Sequence, residues 1–301
     1  MPDTKENRKE DMNLPIPIVV RSHNDRHLIE QTLQMLGRQT YACEVHVFDN
    51  DSSDGTLDIL SSYTLFVHRV PGGTYIPGAV LNEAMRTLQS AYPYVVFLNS
   101  DCTPVDEFWL ENLVSGFSED SIAAVFSRQM PRPDCLPLFA KDTEDTFGDG
   151  SRQKYWKHCF SMASSAIRRE CWEKMPFRED LQYSEDIDWT WRARQKGWSI
   201  AYAAESRVYH SHNYTLAQLW KRQQGEGKAD AQIFTWSWWE RSYLRYSLLP
   251  YLRQVKSDAS YAKKHKKTGL LGYSLALRFS QMRGRRQGFK EGLRKKGMDN
   301  G

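Results

Sequence analysis

Short apolar runs alternate with segments of helical spacing over the first two thirds of the chain. Residues 15–21, 44–48 and 95–98 have the length and the apolar, β-branched content of strands, and each run ends in polar residues. Between them, apolar residues recur every three or four positions, as on the buried face of a helix. This alternation predicts an α/β fold, with a mostly parallel sheet flanked by helices.

The pattern changes later in the chain. Residues 198–203 and 206–209 predict two further strands, whereas the polar stretch 131–150, with its Pro and Gly residues, predicts a long loop that is a lid, a binding loop or disordered. Beyond residue 215 only helical spacing remains. Aromatic residues crowd together there, which favours either a membrane boundary or packing of a helix onto the body: Trp236, Trp238, Trp239, Tyr243 and Tyr246.

We therefore expect a flexible N-terminus at residues 1–13, a sheet-bearing domain at 14–214 and a helical extension at 215–301. With 301 residues, 40% of them hydrophobic, the chain can bury a core. Its five cysteines include no C-x-x-C pair, which argues against a disulfide framework. The first residues lack the apolar core of a signal peptide and no apolar run could span a bilayer, so we expect a cytoplasmic protein.

The net charge of +4 hides an asymmetry between the two ends of the chain. Residues 253–301 carry 14 Lys and Arg but 3 acids, a net charge of +11, and residues 1–252 carry −7. The basic extension predicts peripheral contact with an anionic inner membrane surface, although charge runs are also common on plain solvated surfaces. Nucleic acid is not expected, because the aromatic cluster precedes the basic run and does not interleave with it.

Polar residues that can bind ligands follow the apolar strands. They occur in this order: Asp49 after the strand at 44–48, Asn99-Ser100-Asp101 after the strand at 95–98, Glu185-Asp186 at a helix start and His210 after the last strand. The carboxyl ends of parallel strands form the ligand site of open α/β sheets, and carboxylate oxygens suit a divalent cation. Each feature alone also has a structural explanation, as an Asx turn, a helix N-terminus or a core histidine.

Taken together, these motifs resemble the family 2 glycosyltransferases with the GT-A fold. The resemblance covers about residues 15–215, and residues 127–131 and 208–212 are similar to bacterial, rhamnosyltransferase-like members. Four segments carry it: 48–56 as the Asp-Gly-Thr strand end, Asn99-Ser100-Asp101 as D-x-D with Asn in the first place, 184–192 as the E-D…R helix, and 208–210 as the late histidine.

The resemblance implies an inverting glycosyltransferase, with residues 14–214 as its GT-A catalytic domain. It would move a sugar from a UDP- or dTDP-sugar to a hydroxyl of a glycan or lipid-linked glycan, as in polysaccharide biosynthesis. Asp101 and His210 would hold a divalent metal, Mn²⁺ or Mg²⁺, with His212 as the rival ligand. Asp186 would be the general base and Glu185 would bind the acceptor.

The resemblance also implies a nucleotide pocket. Its expected members are Arg21, His23, Asn24, Asp49, Asp51, Asn99 and Ser100, with Asp49 accepting N3–H of a pyrimidine. Arg21 is equally consistent with an ordinary strand-end cation, and Asp54 to Thr56 are assigned to a structural turn. Arg128, Arg222 and Lys228 are candidates to close over the diphosphate, the last two in a glycine-bearing segment that is either a mobile flap or a plain linker.

Two alternatives to a glycosyltransferase stay open. A sugar-1-phosphate nucleotidyltransferase also combines an α/β sheet with a divalent cation, but it needs a Gly-rich basic loop after the first strand, where this chain has Ser22-His23-Asn24-Asp25. The other is a module that binds nucleotide sugars or tethers the chain to a membrane without turnover.

Overall fold

The computed structural model describes residues 14–73, 75–88, 92–153, 156 and 158–297. The predicted flexible N-terminus at residues 1–13 lies outside this part. The described chain forms two compact units. The first contains the described residues up to 133 together with 143–180 and 185–211, and the second contains 134–142, 181–184 and 212–297.

The first unit is built on a sheet whose described strands run in the order β3-β2-β1-β4-β7-β6-β8-β5. Neighbours β1–β2, β2–β3, β1–β4 and β6–β8 are parallel, whereas β7 is antiparallel to β4 and β6, and β5 to β8. The predicted α/β fold, with a sheet flanked by helices, is confirmed. The strands are β1 Ile16–Ser22, β2 Cys43–Asp49, β3 Phe66–Arg69, β4 Tyr94–Asn99, β5 Thr103–Pro104, β6 Ile122–Met130, β7 Ser164–Arg168 and β8 Ser199–Tyr209.

Helices cover both faces of this sheet. Their bounds are α1 Arg26–Leu36, α2 Thr56–Leu60, α3 Pro77–Thr87, α4 Trp109–Val114, α6 Arg169–Lys174 and α7 Glu185–Gln195. Helix α5, Pro137–Thr146, has most of its residues in the second unit. Successive strand residues point to opposite faces, so Val19 packs in a cluster with Leu81 of α3, while its neighbour Val20 packs in a cluster with Leu33 of α1. A sheet buried on both faces explains why its central strands are continuous apolar runs.

Two predictions about the later chain are wrong. The stretch 131–150 contains α5, which has Pro at its first position and buries Leu138 and Phe139. Residues 198–209 form the single strand β8, because β8 pairs with β6 on both sides of a register irregularity at Ser127/Arg128.

The second unit is helical, as predicted for this end of the chain. Its helices are α8 Leu216–Ile233, α9 Leu249–Lys264 and α10 Leu270–Lys295, and a π-helical turn, Leu244–Leu248, leads into α9. Among the residues that the structure describes, no helix combines the length and apolar character that a bilayer span requires.

Helices α8 and α10 touch backbone to backbone through glycines. A Cβ at Gly288 would lie 1.8 Å from the carbonyl oxygen of Gln224, and one at Gly227 would lie 2.0 Å from that of Arg285. The interpretation of residues 222–228 as a flap or linker is therefore wrong: the segment lies inside α8, and Gly227 permits close helix packing.

The aromatic cluster is partly buried and partly exposed. Trp236 and Tyr246 pack against Phe289, with ring centroids 5.2 Å and 3.9 Å from it. Trp238 and Tyr243 remain exposed, at 77% and 51%. Part of the cluster is core of the second unit and part is surface.

Candidate active site

The carboxyl ends of the central parallel strands meet at one cavity in the first unit. Strand β1 lies between β2 and β4, so Arg21 is paired with Asn99, and Ser22 with Asp49. The cavity has a volume of about 390 Å³. Its lining residues are Arg21, Ser22, His23, Asp25, Asn50, Tyr75, Asn99, Ser100 and Asp101.

Asp101 and His210 come together at this strand edge. The His210 Nε2 atom lies 3.5 Å from Asp101 Oδ2. Cys102 is the third member of the group, and one ligand atom from each residue lies within 4.8 Å of the others. Burial raises the pKa of the Cys102 thiol well above its usual value, which leaves the carboxylate and the imidazole as the favoured metal ligands.

Gln129 fixes the orientation of the His210 ring. Its Oε1 lies 2.7 Å from His210 Nδ1, and its Nε2 donates to Ser161 Oγ at 2.8 Å. The amide oxygen can only accept, so Nδ1 carries a proton and Nε2 is the ring nitrogen that faces Asp101. Metal-bound histidines are typically oriented in this way, so the donor set fits a divalent cation.

Arg132 and Asp25 also belong to this region, and the sequence did not single them out. The Arg132 guanidinium donates to the carbonyl oxygen of Asp101. Ser100 Oγ donates to Asp25, whose carboxyl pKa is raised by burial and also by the charge of Asp101. Asp25 ends the polar tip after β1 and could have been found there; Arg132 gives no such signal.

Asn99 is engaged by Arg21. The guanidinium donates from Nη2 to Asn99 Oδ1 at 2.7 Å and from Nη1 to Glu185 Oε1 at 3.4 Å. The oxygen with which Asn99 could bind a metal therefore accepts from Arg21. Arg21 lines the cavity and links the β4 tip to the start of α7.

Glu185 and Asp186 lie side by side at the start of α7. Burial, and after it the charge of Asp186, raises the pKa of Glu185 to about 7 against the opposing effect of Arg21. Asp186 Oδ2 accepts from the backbone N–H of Met162 at 3.1 Å, next to the start of β7. This contact holds Asp186 at the strand edge that carries Asn99, since Asn99 N–H donates to Ala163 O.

Two side chains that were predicted to bind the nucleotide form hydrogen bonds with the turn after β2. Asp49 is 1% exposed, and its two oxygens accept from the N–H and the hydroxyl of Ser52 at 2.9 and 2.7 Å. His23 Nδ1–H donates to Asn50 O at 2.6 Å, so the ring covers this turn. Asn50, which the sequence did not single out, lines the cavity beside His23.

Asn24 and Asp51 both have left-handed backbone conformations, with φ of 55° and 54°. Asn24 Oδ1 accepts from Ser53 N–H at 2.8 Å, which ties the β1 tip to the β2 tip, whereas Asp51 is exposed. The turn assigned to Asp54 is present, because its carboxylate accepts from the backbone N–H of Thr56 at 3.0 Å.

The other candidate ligands have partners of their own. Lys228 is paired with Glu291 at 3.2 Å and Arg222 donates to the hydroxyl of Tyr214 at 3.1 Å. The ring of His212, the rival metal ligand, stacks on Tyr214. Burial raises the pKa of Tyr202 well above its usual value, and the charge of Arg128 opposes this rise.

Known proteins resemble this chain in sequence and in fold. The O-antigen chain rhamnosyltransferase WbaN of Salmonella anatum is 30% identical over 190 residues, which span 58% of this chain and 59% of WbaN. The O-antigen chain rhamnosyltransferase RfbN of Salmonella typhimurium is 28% identical over 225 residues, 69% of this chain and 70% of RfbN. The WbaN match thus covers less than two thirds of that relative.

Solved structures show the same fold. A mannosyltransferase of Pyrobaculum calidifontis in complex with GDP-Man and Mn²⁺ matches with a TM-score of 0.62 at 18% identity, over 92% of both chains. Glucosyl-3-phosphoglycerate synthase of Mycobacterium tuberculosis, in complex with Mn²⁺, UDP and phosphoglyceric acid, matches with a TM-score of 0.57 at 17% identity, over 79% of this chain and 86% of that one.

The model of the family described as glycosyl transferase family 2 matches residues 18–175, just over half of the chain. The match includes the tips of β1, β2 and β4, which line the cavity. The chain therefore belongs to glycosyl transferase family 2, as the order of its strand-end motifs predicts.

Proposed function

We propose that the protein is a metal-dependent, inverting glycosyltransferase that moves a sugar from a UDP- or dTDP-type donor to a hydroxyl of a glycan or lipid-linked glycan. The pairing of Asp101 with a histidine whose tautomer is fixed by Gln129 carries the proposal. Two relatives are rhamnosyltransferases. Rhamnose is accordingly the first sugar to test.

Asp101 and His210 would hold the cation, Mn²⁺ or Mg²⁺. A bound divalent cation supplies charge neutralisation for the diphosphate leaving group. Arg132 fixes the backbone at Asp101 through its carbonyl oxygen, so the carboxylate stays aimed at His210. Arg21, Asn99, Ser100 and the β2 tip provide the polar walls for the nucleotide.

Asp186 is the proposed general base. Its carboxylate accepts the proton of the acceptor hydroxyl as that oxygen attacks the anomeric carbon, and the bond to the diphosphate breaks on the opposite face, which inverts the configuration. Glu185, held by Arg21, binds a second group of the acceptor. A lipid-linked acceptor places the reaction at a membrane surface, which suits the net charge of +11 on residues 253–301.

Transfer from purified dTDP- and UDP-sugars, with and without Mn²⁺, tests the proposal. We expect Asp186→Asn to lower kcat by about 100- to 10,000-fold while donor binding is kept. Asp101→Ala should remove the stimulation of donor hydrolysis by metal. Asp58→Asn, an exposed acid of α2, is the matched control.

Retained turnover in Asp186→Asn would remove that residue from the base role. Unchanged metal stimulation in Asp101→Ala would contradict the metal site. Tight metal-dependent binding of UDP or dTDP by calorimetry, without turnover on any donor and acceptor, would favour the binding module.

A further inference from the structure

The second unit exposes large apolar side chains in a turn and on helix α10. Trp238 is 77% exposed, Phe279 is 49% and Leu275 is 48%. Tyr243, which is 51% exposed, and Phe279 line one common cavity, so these two side chains are neighbours. Exposed apolar groups that cluster in this way mark an interaction surface.

One face of α10 separates apolar from cationic residues along its length. Leu271, Leu275 and Phe279 follow one another at four-residue intervals, and all are exposed. Arg283 and Lys290 continue the same row, about one and about three turns beyond Phe279. The row is apolar in the first half of the helix and basic in the second half.

A cavity of about 470 Å³ lies where the two halves meet. It combines apolar walls with four basic groups and one acid. Its lining residues are Tyr243, Phe279, Met282, Arg283, Arg286, Gln287, Lys290, Glu291 and Arg294.

The acid of this lining, Glu291, does not neutralise the positive charge of the cavity. Glu291 accepts from Gln224 at 2.7 Å and is paired with Lys228 at 3.2 Å, so its charge is shared with a cation outside the lining. Arg286 donates from Nη1 to Arg241 O at 2.6 Å. Within the described part of the chain, its buried Nε has no hydrogen-bond partner. The cavity thus offers donors and charge to an anion.

We propose that this face of α10 is a binding surface for an anionic membrane, with the cavity receiving a lipid phosphate and Tyr243 and Phe279 entering the head-group layer. Cations beside exposed aromatic groups suit the boundary between water and lipid, where phosphates lie next to hydrocarbon. RNA offers phosphates too, but it does not explain the apolar row. The proposal concerns binding and does not depend on sugar transfer.

Sedimentation of the full-length protein with vesicles tests this surface. We expect binding to vesicles that contain phosphatidylglycerol, weaker binding to pure phosphatidylcholine, and a decrease with salt. Each basic residue near an anionic surface raises partitioning by about fivefold, so the triple variant Arg283→Gln, Lys290→Gln, Arg294→Gln should lose about 100-fold.

A variant with the same loss of charge elsewhere is the control: Lys263→Gln, Lys264→Gln, Lys267→Gln near the end of α9. Equal losses in the two triple variants would overturn the proposal, because net charge alone would then explain binding. If the α10 triple variant does not fold, the exposed single change Lys290→Gln serves, with an expected loss of about fivefold.

The apolar half of the row has its own test. Phe279→Ala should weaken binding to anionic vesicles and reduce quenching of tryptophan fluorescence by brominated lipids, whereas unchanged values would contradict insertion. Tighter binding to single-stranded RNA than to vesicles, lost in the α10 triple variant, would reassign the surface. Metal-dependent donor hydrolysis should be the same in all these variants, so failure of the membrane surface remains distinguishable from failure of the proposed enzyme.

Discussion

Replacing Gln129 by leucine should weaken metal binding, although Gln129 is not one of the two proposed metal ligands. The side chain is 5% exposed and accepts from His210 Nδ1 at 2.7 Å. Leucine has a similar size but no acceptor, so the imidazole gains by moving its proton to Nε2, which lies 3.5 Å from Asp101 Oδ2. That proton would occupy the nitrogen that the metal needs.

The size of this effect follows from the loss of one orienting hydrogen bond. Removal of such a partner behind a metal ligand lowers affinity by about 10- to 100-fold. This corresponds to about 1.4–2.8 kcal/mol. The cost of leaving Nδ1–H buried without an acceptor, about 1–3 kcal/mol, has the same magnitude.

Calorimetric titration of Mn²⁺ in the presence of UDP measures this loss, and the ¹⁵N chemical shifts of His210 report its tautomer. Gln129→Glu is the matched control, because a carboxylate keeps the acceptor and should preserve metal affinity. Equal Mn²⁺ affinity in wild type and Gln129→Leu, with both folded, would refute the orienting role.

Three further predictions concern stability. The Glu185 pKa is raised, mainly by burial, from 4.5 to about 7, so the native protein holds this proton more tightly than the unfolded chain does. The free energy of unfolding should therefore fall as the pH rises from 4.5 to about 7. Urea unfolding of Glu185→Gln should lack that fall. Gly288→Ala, whose Cβ would meet a carbonyl oxygen at 1.8 Å, should cost about 1–3 kcal/mol in urea unfolding, whereas Gly272→Ala, with nothing within 4 Å, should stabilise α10 by about 0.5–1 kcal/mol. Arg278 is buried and donates to Asp258 at 2.8 Å, so Arg278→Met should lower the thermal midpoint and cost about 3–5 kcal/mol; a loss below about 1 kcal/mol would contradict the burial of this pair.

The strand edge that forms the cavity was predictable from local patterns. Apolar runs identify β1, β2 and β4, and parallel pairing brings their polar ends together, so Arg21, Asn99 and Asp101 line one cavity. The same patterns missed α5, because its few buried apolar residues give a weak helical signal in a polar stretch.

Other features depend on contacts between distant segments. Gln129 is one of several polar residues in β6, and only the register of β6 against β8 places it beside His210. Gly227, one of two glycines in residues 222–228, indicates flexibility when the sequence is considered alone. Its actual role is set by the carbonyl of Arg285, on a helix more than fifty residues away.

The glycine contact between α8 and α10 also limits how these helices can change in length. Gly284, Gly288 and Gly292 follow one another at four-residue intervals, and each lies against α8. One residue inserted into α10 ahead of them would rotate all three by about 100° around the helix axis and bring side chains against the α8 backbone. Changes at the outer row of α10 leave this contact in place. The helix can therefore vary widely in surface chemistry, but insertions and deletions are confined to its two ends.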